Sequence, residues 1–323
     1  MTIVVRIALV AIALVLGAPP AGGLAQSYPT RPVEFIIPFA PGGPTDTAIR
    51  LIQPQLSANL GVPVVLVNKA GGGGALGMDA VAKAKPDGYT LAATVRSTLT
   101  ILPATQPDVA YKISDFAAIG TYAVDSQVVV VKSGASWKTL EELVDHAKKN
   151  PGKLSYGSAG QGTNSFFTME LLKLAYGLDI AHVPFGGSGP VKNALLGGHV
   201  QVGAAALSPV LSVIRSGDIT ALVTSTTRRS PAVPNVPTMT EKGHADASLS
   251  TWAELWAPAK TPKPVLDRLV QALDKTMKDP AVVSAIEKAG LQVEYNDPAV
   301  TLKLVERENE VVRTVVRKLG LGK

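Results

Sequence analysis

Short runs of aliphatic and β-branched residues alternate with amphipathic helical stretches along most of this chain, and that alternation restricts it to an α/β fold. Val33-Glu34-Phe35-Ile36-Ile37 reads as a strand and residues 38–44 as a Gly/Pro loop. The next stretch reads as a helix, with Thr45 or Asp46 as N-cap, an apolar stripe at Ile49, Ile52, Leu56 and Leu60, and Gly61 as its stop. Pro54 lies inside that helix and is expected to kink or divide it. Residues 64–67 form the next strand pattern, residues 71–74 a glycine run opening a helix through Lys83, and residues 89–95 a third strand after the Pro86-Asp87-Gly88 turn. A βαβαβ order of this kind implies parallel strands covered by helices.

Near Val124 the pattern begins again. Strand signals fall at 128–131, 154–157, 180–184, 200–204 and 220–224, and helix signals after the Thr139-Leu140-Glu141-Glu142 capping box and at 163–176, 190–196 and 210–216. After residues 252–257 the tail reads as mostly helical, with stripes at Val265, Leu269 and Leu273 and at Leu302, Val305 and Val312. Helices alone cannot complete a sheet, so the tail is expected to pack back on the first unit. The resulting expectation is two lobes, each a mostly parallel sheet flanked by helices, with a cleft between them. Lobe one is discontinuous, 26–124 with 245–323, and lobe two is 125–244.

Composition excludes several classes. With 46% hydrophobic and 17% charged residues, the chain can offset its ordering entropy by burial. Cysteine is absent, which removes disulfides, thiolate metal sites, a cysteine nucleophile and a lipidated N-terminus. Residues 1–25 read as an export signal: Arg6, an apolar run over 7–16, Pro19-Pro20, then Gly23-Leu24-Ala25 for cleavage. That run is shorter than the roughly 20 residues needed to span a bilayer. The net charge of +6 is mild for 323 residues. Lys148-Lys149 and Arg228-Arg229 are short pairs without interleaved aromatics, so no nucleic-acid partner is expected.

Two glycine-containing loops lie between a strand and a helix start. One is Phe39-Ala40-Pro41-Gly42-Gly43-Pro44-Thr45-Asp46 and the other Gly157-Ser158-Ala159-Gly160-Gln161-Gly162-Thr163-Asn164. The first amides of a helix lack intrahelical acceptors and carry a partial positive charge, glycine admits an anion close to them, and Ser158 and Thr163 add hydroxyls. Such loops either cradle an anion or simply make tight connections. Both readings fit the spacing.

The motifs Tyr28-Pro-Thr-Arg-Pro-Val, Pro38-Phe-Ala-Pro-Gly-Gly-Pro-Thr-Asp46 and Pro86-Asp-Gly-Tyr-Thr-Leu91 occur in order along the chain. They are followed by Tyr156-Gly-Ser-Ala-Gly160 with Gly162-Thr163, His182-Val-Pro-Phe-Gly186, Leu195-Leu-Gly-Gly198, Arg229-Ser230 with Val236-Pro-Thr238, and Trp252. Together they resemble the Bug family, the periplasmic solute receptors of tripartite tricarboxylate transporters. The resemblance implies a two-lobed periplasmic binding protein fold (type II-like) that closes on a small carboxylate and serves a membrane transporter. It implies no enzyme activity and no cofactor, with ligand contacts at Phe39, Gly43, Pro44, Thr45, Asp46, Ser158, Ala159, Gly162, Thr163 and Asn164, and Phe185-Gly186 nearby. A monomer is expected.

Two departures bear on the ligand. The family commonly has a histidine where this chain reads Asn164-Ser165-Phe166-Phe167, and acidic or amide residues where it reads Gly203-Ala204-Ala205-Ala206-Leu207. The wall near Ala205 is therefore expected to be apolar, which disfavours an amino acid and favours a ligand with an apolar or aromatic body. Thr94, Arg96 and Ser97, at and just beyond the end of the 89–95 strand, are further candidate ligand contacts. Arg96 is either the partner of a second carboxylate or a solvated surface arginine.

Enzyme readings are weaker. Gly72-x-Gly74-x-x-Gly77 follows a strand as in dinucleotide folds, but it is one pattern standing alone. No G-x-S-x-G elbow is present, and His146, His182, His199 and His244 show no metal-ligand spacing. A ligand-binding sensor subunit is the remaining alternative to a transport receptor.

Overall fold

A computed structural model describes residues 28–106, 108–244, 249–318 and 320–321; the expected export signal lies outside them. In chain order the elements are β1 (Val33–Ile37), α1 (Pro44–Leu60), β2 (Val64–Asn68), α2 (Ala75–Ala82), β3 (Thr90–Val95), α3 (Ile101–Thr105), β4 (Phe116–Asp125) and β5 (Gln127–Lys132). They continue with α4 (Leu140–Lys149), β6 (Leu154–Ser158), α5 (Asn164–Tyr176), β7 (Ile180–Pro184), α6 (Ser188–Leu196), β8 (Val202–Ala206), α7 (Leu207–Arg215) and β9 (Ile219–Thr224). The last are β10 (Thr251–Pro258), α8 (Lys263–Met277), α9 (Pro280–Lys288), β11 (Gln292–Asn296) and α10 (Pro298–Lys318).

Two sheets form. The first has six strands in the order β11-β4-β10-β3-β1-β2, the second five in the order β7-β6-β8-β5-β9. Both are mixed. β1, β2 and β3 are mutually parallel, as are β7, β6 and β8, whereas β10, β4, β11, β5 and β9 enter through antiparallel pairings. The chain passes from the first sheet to the second at Ser126 and returns between β9 and β10.

Each sheet is covered on both faces. In the first, Ile49, Ile52 and Leu56 of α1 pack with Leu269 and Leu273 of α8 on one side, and Met78 and Val81 of α2 lie with Trp256 and Val305 on the other. In the second, α4 and α5 cover one face and α6 and α7 the other. The last helix belongs to both. Val305 packs with the first sheet, while Val312, Val315 and Val316 join Val129, Leu143 and Phe167 in the core of the second.

Several expectations need correction. The mostly helical tail also returns one strand, β11, to the first sheet beyond the β10 strand that precedes it; Gln292–Asn296 is half-buried throughout and shows no alternating signal. β4, rich in small residues and buried along nearly its whole length, shows no period-two pattern in the sequence, and α3 is only five residues long. α1 starts at Pro44 with Gly43 as N-cap, so neither Thr45 nor Asp46 caps it; Pro at the first turn loses no helical bond. It also runs undivided through Pro54. Arg50, whose carbonyl would have accepted the missing N–H, and Pro54 itself both face solvent, and water can take the freed carbonyl.

Candidate ligand site

Because β1, β2 and β3 run parallel, their carboxyl ends deliver the loops after Ile37, Asn68 and Val95 to one edge of the first sheet; β6, β7 and β8 do the same for the second. Ligands of open α/β sheets sit at such edges. Each of the two glycine-containing loops feeds a helix from one of them.

In the first loop the earliest main-chain bond of α1 runs from Thr47 N–H to Gly43 C=O, 2.9 Å. Thr45 and Asp46 N–H precede it and have no acceptor within the helix. The Asp46 side chain is buried and holds the loop together. Its Oδ2 accepts from Gly42 N (2.9 Å) and Arg50 Nε (2.8 Å), and its Oδ1 from Arg50 Nη2 and Asn68 Nδ2 (both 2.9 Å). Asn68 Nδ2 also donates to Phe39 C=O, 3.0 Å. Burial alone would raise the Asp46 pKa, but the donors from Arg50, Gly42 and Asn68 outweigh it and hold the carboxyl at about 2. The charge at this helix start is therefore already matched by Arg50.

In the second loop Thr163 is the N-cap of α5. Its Oγ1 accepts from Phe166 N at 3.4 Å and donates to Gly160 C=O at 2.6 Å. Phe167 N–H bonds Thr163 C=O at 3.0 Å, so Asn164 and Ser165 N–H are the unclaimed helical donors. Ala159 N–H donates to Ser165 Oγ (2.9 Å) and Gly160 N–H to Ser158 Oγ (3.2 Å). These bonds shape the loop before any ligand arrives. Gly160 and Gly162 have φ of +131° and +79°, a region closed to most side chains, which is why glycine stands there.

A chain of contacts runs from one loop towards the other. A methyl added to Gly74 would meet the Phe39 ring at 3.4 Å and the Thr98 methyl at 3.0 Å; one on Gly162 would meet Thr105 Oγ1, at the end of α3, at 3.3 Å. Asn164 crosses between the sheets as well, its Nδ2 donating to Ser250 C=O (2.9 Å) and Thr251 Oγ1 (3.1 Å) beside β10. Its Oδ1 is buried and accepts no hydrogen bond among the described residues.

The remaining expected contacts are unequal. Thr94 is fully buried with Oγ1 3.0 Å from Thr98 Oγ1, and Ser97 is half-buried in the turn after β3. Phe185 N–H bonds Ser158 C=O (2.9 Å) and its ring covers Gly157, while Gly186 is exposed. Two expectations fail. Ala205 is completely buried among Val128, Val191 and Leu195 under α6 and α7, because the alternation of β8 turns it into the core and away from the loops. Arg96, only 2% exposed, is neither a solvated arginine nor free for a ligand. Its Nε donates to Glu254 Oε1 at 2.7 Å, its Nη2 lies 2.6 Å from the same oxygen, its Nη1 lies 3.6 Å from Glu308 Oε2, and Trp252 stacks on its guanidinium at 4.5 Å. A buried guanidinium requires such partners, and two carboxylates from β10 and α10 supply them. Burial raises the pKa of both acids against the pull of Arg96, that of Glu308 to about 7.

The fold also brings together a pair that spacing did not reveal, Ser158 Oγ and His182 Nε2, at 2.8 Å. The parallel register of β6 and β7 sets Tyr156 opposite His182, whose ring stacks on Tyr156 and touches Phe166. Burial lowers the His182 pKa and favours the neutral ring. Ser158 is fully buried, and its bond to His182 ties the end of β6 to β7 below the loop. Gly72-x-Gly74-x-x-Gly77 is likewise structural. Gly77 lets α2 approach until a methyl there would lie 2.7 Å from Pro38 Cα. Among the described residues no cluster of three or more His, Asp or Glu side chains is arranged for a metal, and no helix is long and apolar enough to cross a membrane.

The family described as "tripartite tricarboxylate transporter family receptor" matches residues 48–321. Protein BugT of Bordetella pertussis is 33% identical over 298 residues, covering 92% of this chain and 91% of its own. A solved structure described as a periplasmic transporter superposes with a TM-score of 0.84 at 35% identity, over 91% of this chain and 99% of that one. MatC from Rhodopseudomonas palustris, solved with bound malate, gives 0.79 at 31% identity over 90% of this chain and 100% of its own. Family match, full-length relative and shared fold agree with the loops built above, and the chain belongs to the tripartite tricarboxylate transporter receptor family.

Proposed function

We propose that this protein is a periplasmic receptor that captures a small organic carboxylate between its two sheets by lobe closure and hands it to the membrane subunits of a tripartite tricarboxylate transporter. The observation that carries the reading is the pair of helix starts, α1 and α5, each following a parallel strand of a different sheet and each keeping two unclaimed N–H donors. One carboxyl head group engaged by Thr45 and Asp46 N–H on one side and by Asn164 and Ser165 N–H on the other would bind only when both loops reach it. Ligand would then favour the closed state by its extra contacts there. The lobes of this reading are 26–124 with 245–323, and 125–244, and the bonds at Ser126, Gln127, Ser225 and Gln292 lie at their crossings. Residues 1–25 act as the export signal, the receptor works as a monomer, and no bond is made or broken.

Phe39, Gly43, Pro44, Ser158, Ala159, Gly162, Thr163, Phe185 and Gly186 shape the two loops in this reading, and Asp46 acts through its main chain. The buried Oδ1 of Asn164 can accept from a ligand hydroxyl once closure rearranges it. With Arg96 already paired, a second ligand carboxylate would be met by amides and hydroxyls. Among the described residues the loop acid, Asp46, is already matched by Arg50, which disfavours the ammonium group of an amino acid.

A thermal-shift screen of malate, adipate, benzoate and aspartate tests this. A ligand at 100 times its Kd adds about 2.7 kcal/mol, roughly a 4 °C rise for a chain of this size. We expect at least one non-amino carboxylate to raise the melting temperature by that order, above aspartate. No shift with any carboxylate at millimolar concentration overturns the proposal.

A further inference from the structure

Away from the loops, a groove of about 500 Å³ runs between α3 and α10. Its floor includes the apolar side chains of Pro103, Ile113 and Val316, and its rim carries Lys112, Arg313 and Arg317. All the charged residues lining it are cationic. Among the described residues none of the three enters an ion pair, whereas half-buried Lys242 is paired with Glu141 and exposed Lys263 with Asp267. The larger neighbouring cavity, on the other flank of α10, carries both signs, Glu310 and Lys318. Unmatched positive charge around an apolar trough is complementary to one kind of occupant, a segment that presents apolar side chains and carboxylates together.

The walls of this groove are the elements that straddle the two sheets. Ile101 of α3 is completely buried in the core of the second sheet, although α3 follows β3 of the first. α10 crosses the same boundary between Val305 and Val312, with Glu308 tied to Arg96 and, at 2.8 Å, to Thr100 Oγ1. At the far end of α3, Thr105 abuts Gly162 of the second loop. All its lining residues belong to lobe one, but α3 and α10 each send side chains into the core of the second sheet, so a body seated between them bears on elements packed against both sheets and lies one short helix away from the ligand loop.

We propose that the groove between α3 and α10 is a docking surface for an acidic, apolar-bearing segment of a protein partner. Resting on the function proposed above, that partner is a membrane subunit, and docking reads the relative position of the lobes. A planar bilayer would meet the rim charges without reaching the concave floor, so a protein segment is the occupant that uses both features.

The test uses the full mature chain and a fluorescein-labelled synthetic peptide, acetyl-ELLEDLEELLEDLE-amide, followed by fluorescence anisotropy. The expected result is saturable binding, weakened at least tenfold in the double variant Arg313→Glu/Arg317→Glu and weakened as salt rises from 50 to 300 mM. The control Lys303→Glu/Arg307→Glu, which makes the same charge change on an exposed stretch of α10, should stay within twofold. Equal losses in the two double variants, or no saturable binding to the unaltered chain, overturn the proposal. So does binding to 30% phosphatidylglycerol vesicles that exceeds peptide binding and is lost in the same variant. Should Arg313→Glu/Arg317→Glu not fold, Arg313→Gln/Arg317→Gln takes its place. The thermal shift with the carboxylate panel is measured on the same samples: its absence throughout counts against the carboxylate reading, its retention with lost peptide binding separates docking from capture.

Discussion

Replacing Asp46 with Ala removes one buried carboxylate and strands four donors at once. Gly42 N–H, Asn68 Nδ2, Arg50 Nε and Arg50 Nη2 all lie within 2.9 Å of it. The Arg50 side chain is 48% exposed and recovers water, so its two bonds contribute little to the loss. The Gly42 and Asn68 bonds are charge-assisted and part-buried, at about 1.5 kcal/mol each, which sets the expected destabilisation at about 3 kcal/mol. Binding should suffer separately. If residues 40–43 lose their fixed geometry, a ligand must order them again at about 1 kcal/mol per residue, part of which appears as a 10- to 100-fold rise in Kd. Urea denaturation followed by tryptophan fluorescence gives the first quantity, and titration calorimetry with the tightest carboxylate of the panel gives the second. Because the folded pKa is depressed to about 2, the Asp46 contribution is present above the unfolded value near 4 and is lost as pH falls through about 2. A variant within 0.5 kcal/mol of the parent with unchanged affinity would refute the argument. Tighter carboxylate binding at unchanged stability would instead mean that the Asp46 charge faces the ligand.

Three further perturbations probe other parts of the molecule. Arg96→Met leaves Glu254 and Glu308 buried without their cation and should cost about 3 to 5 kcal/mol at pH 7.5 but less at pH 5.5, where the acids can take protons; equal losses at both pH values in urea melts would show that the cluster does not depend on charge. Asp125, buried where β4 crosses to β5 and bonded to Ser208 N (3.3 Å) and Oγ (2.6 Å), has its pKa pushed up to about 7 by burial. The folded state thus holds that proton more tightly than the unfolded one, and stability falls as pH rises from about 4 to about 7. Asp125→Asn should flatten the fall and be the more stable form at pH 8 by about 1 to 2 kcal/mol; a variant equally weakened at pH 5 and pH 8 contradicts this. Gly77→Ala pushes a methyl to 2.7 Å from Pro38 Cα and 2.9 Å from Lys69 C=O, both backbone atoms, and should cost about 1 to 3 kcal/mol and weaken carboxylate binding. Gly134→Ala, where a methyl meets nothing within 4 Å, should do neither, as paired thermal melts and calorimetry will report.

Much of the architecture follows from local pattern. The β-branched runs at 33–37 and 128–131, the Thr139 capping box with Glu142, and the glycines closing α1 and α5 act through neighbours a few residues away, so they are readable one stretch at a time. The two glycine loops are visible for the same reason, since a helix start that must leave amides open needs its own local residues. What lies in the environment of a side chain is a different matter. Arg96 meets Glu254 and Glu308, 158 and 212 positions further on, and nothing near residue 96 signals that its charge is already matched. Asp46 looks from its motif like a ligand contact, yet Asn68, from another strand, turns it into the clasp of its own loop. Ser158 and His182 become partners only because β6 and β7 lie in parallel register. Ala205 is hidden by two helices, and α10 spans both sheets because its apolar stripe finds a different core at each end. Periodicity and capping are short-range and are written in consecutive residues. Burial, charge compensation and the meeting of distant strands depend on which surfaces the closed chain brings together, and tertiary packing alone decides them.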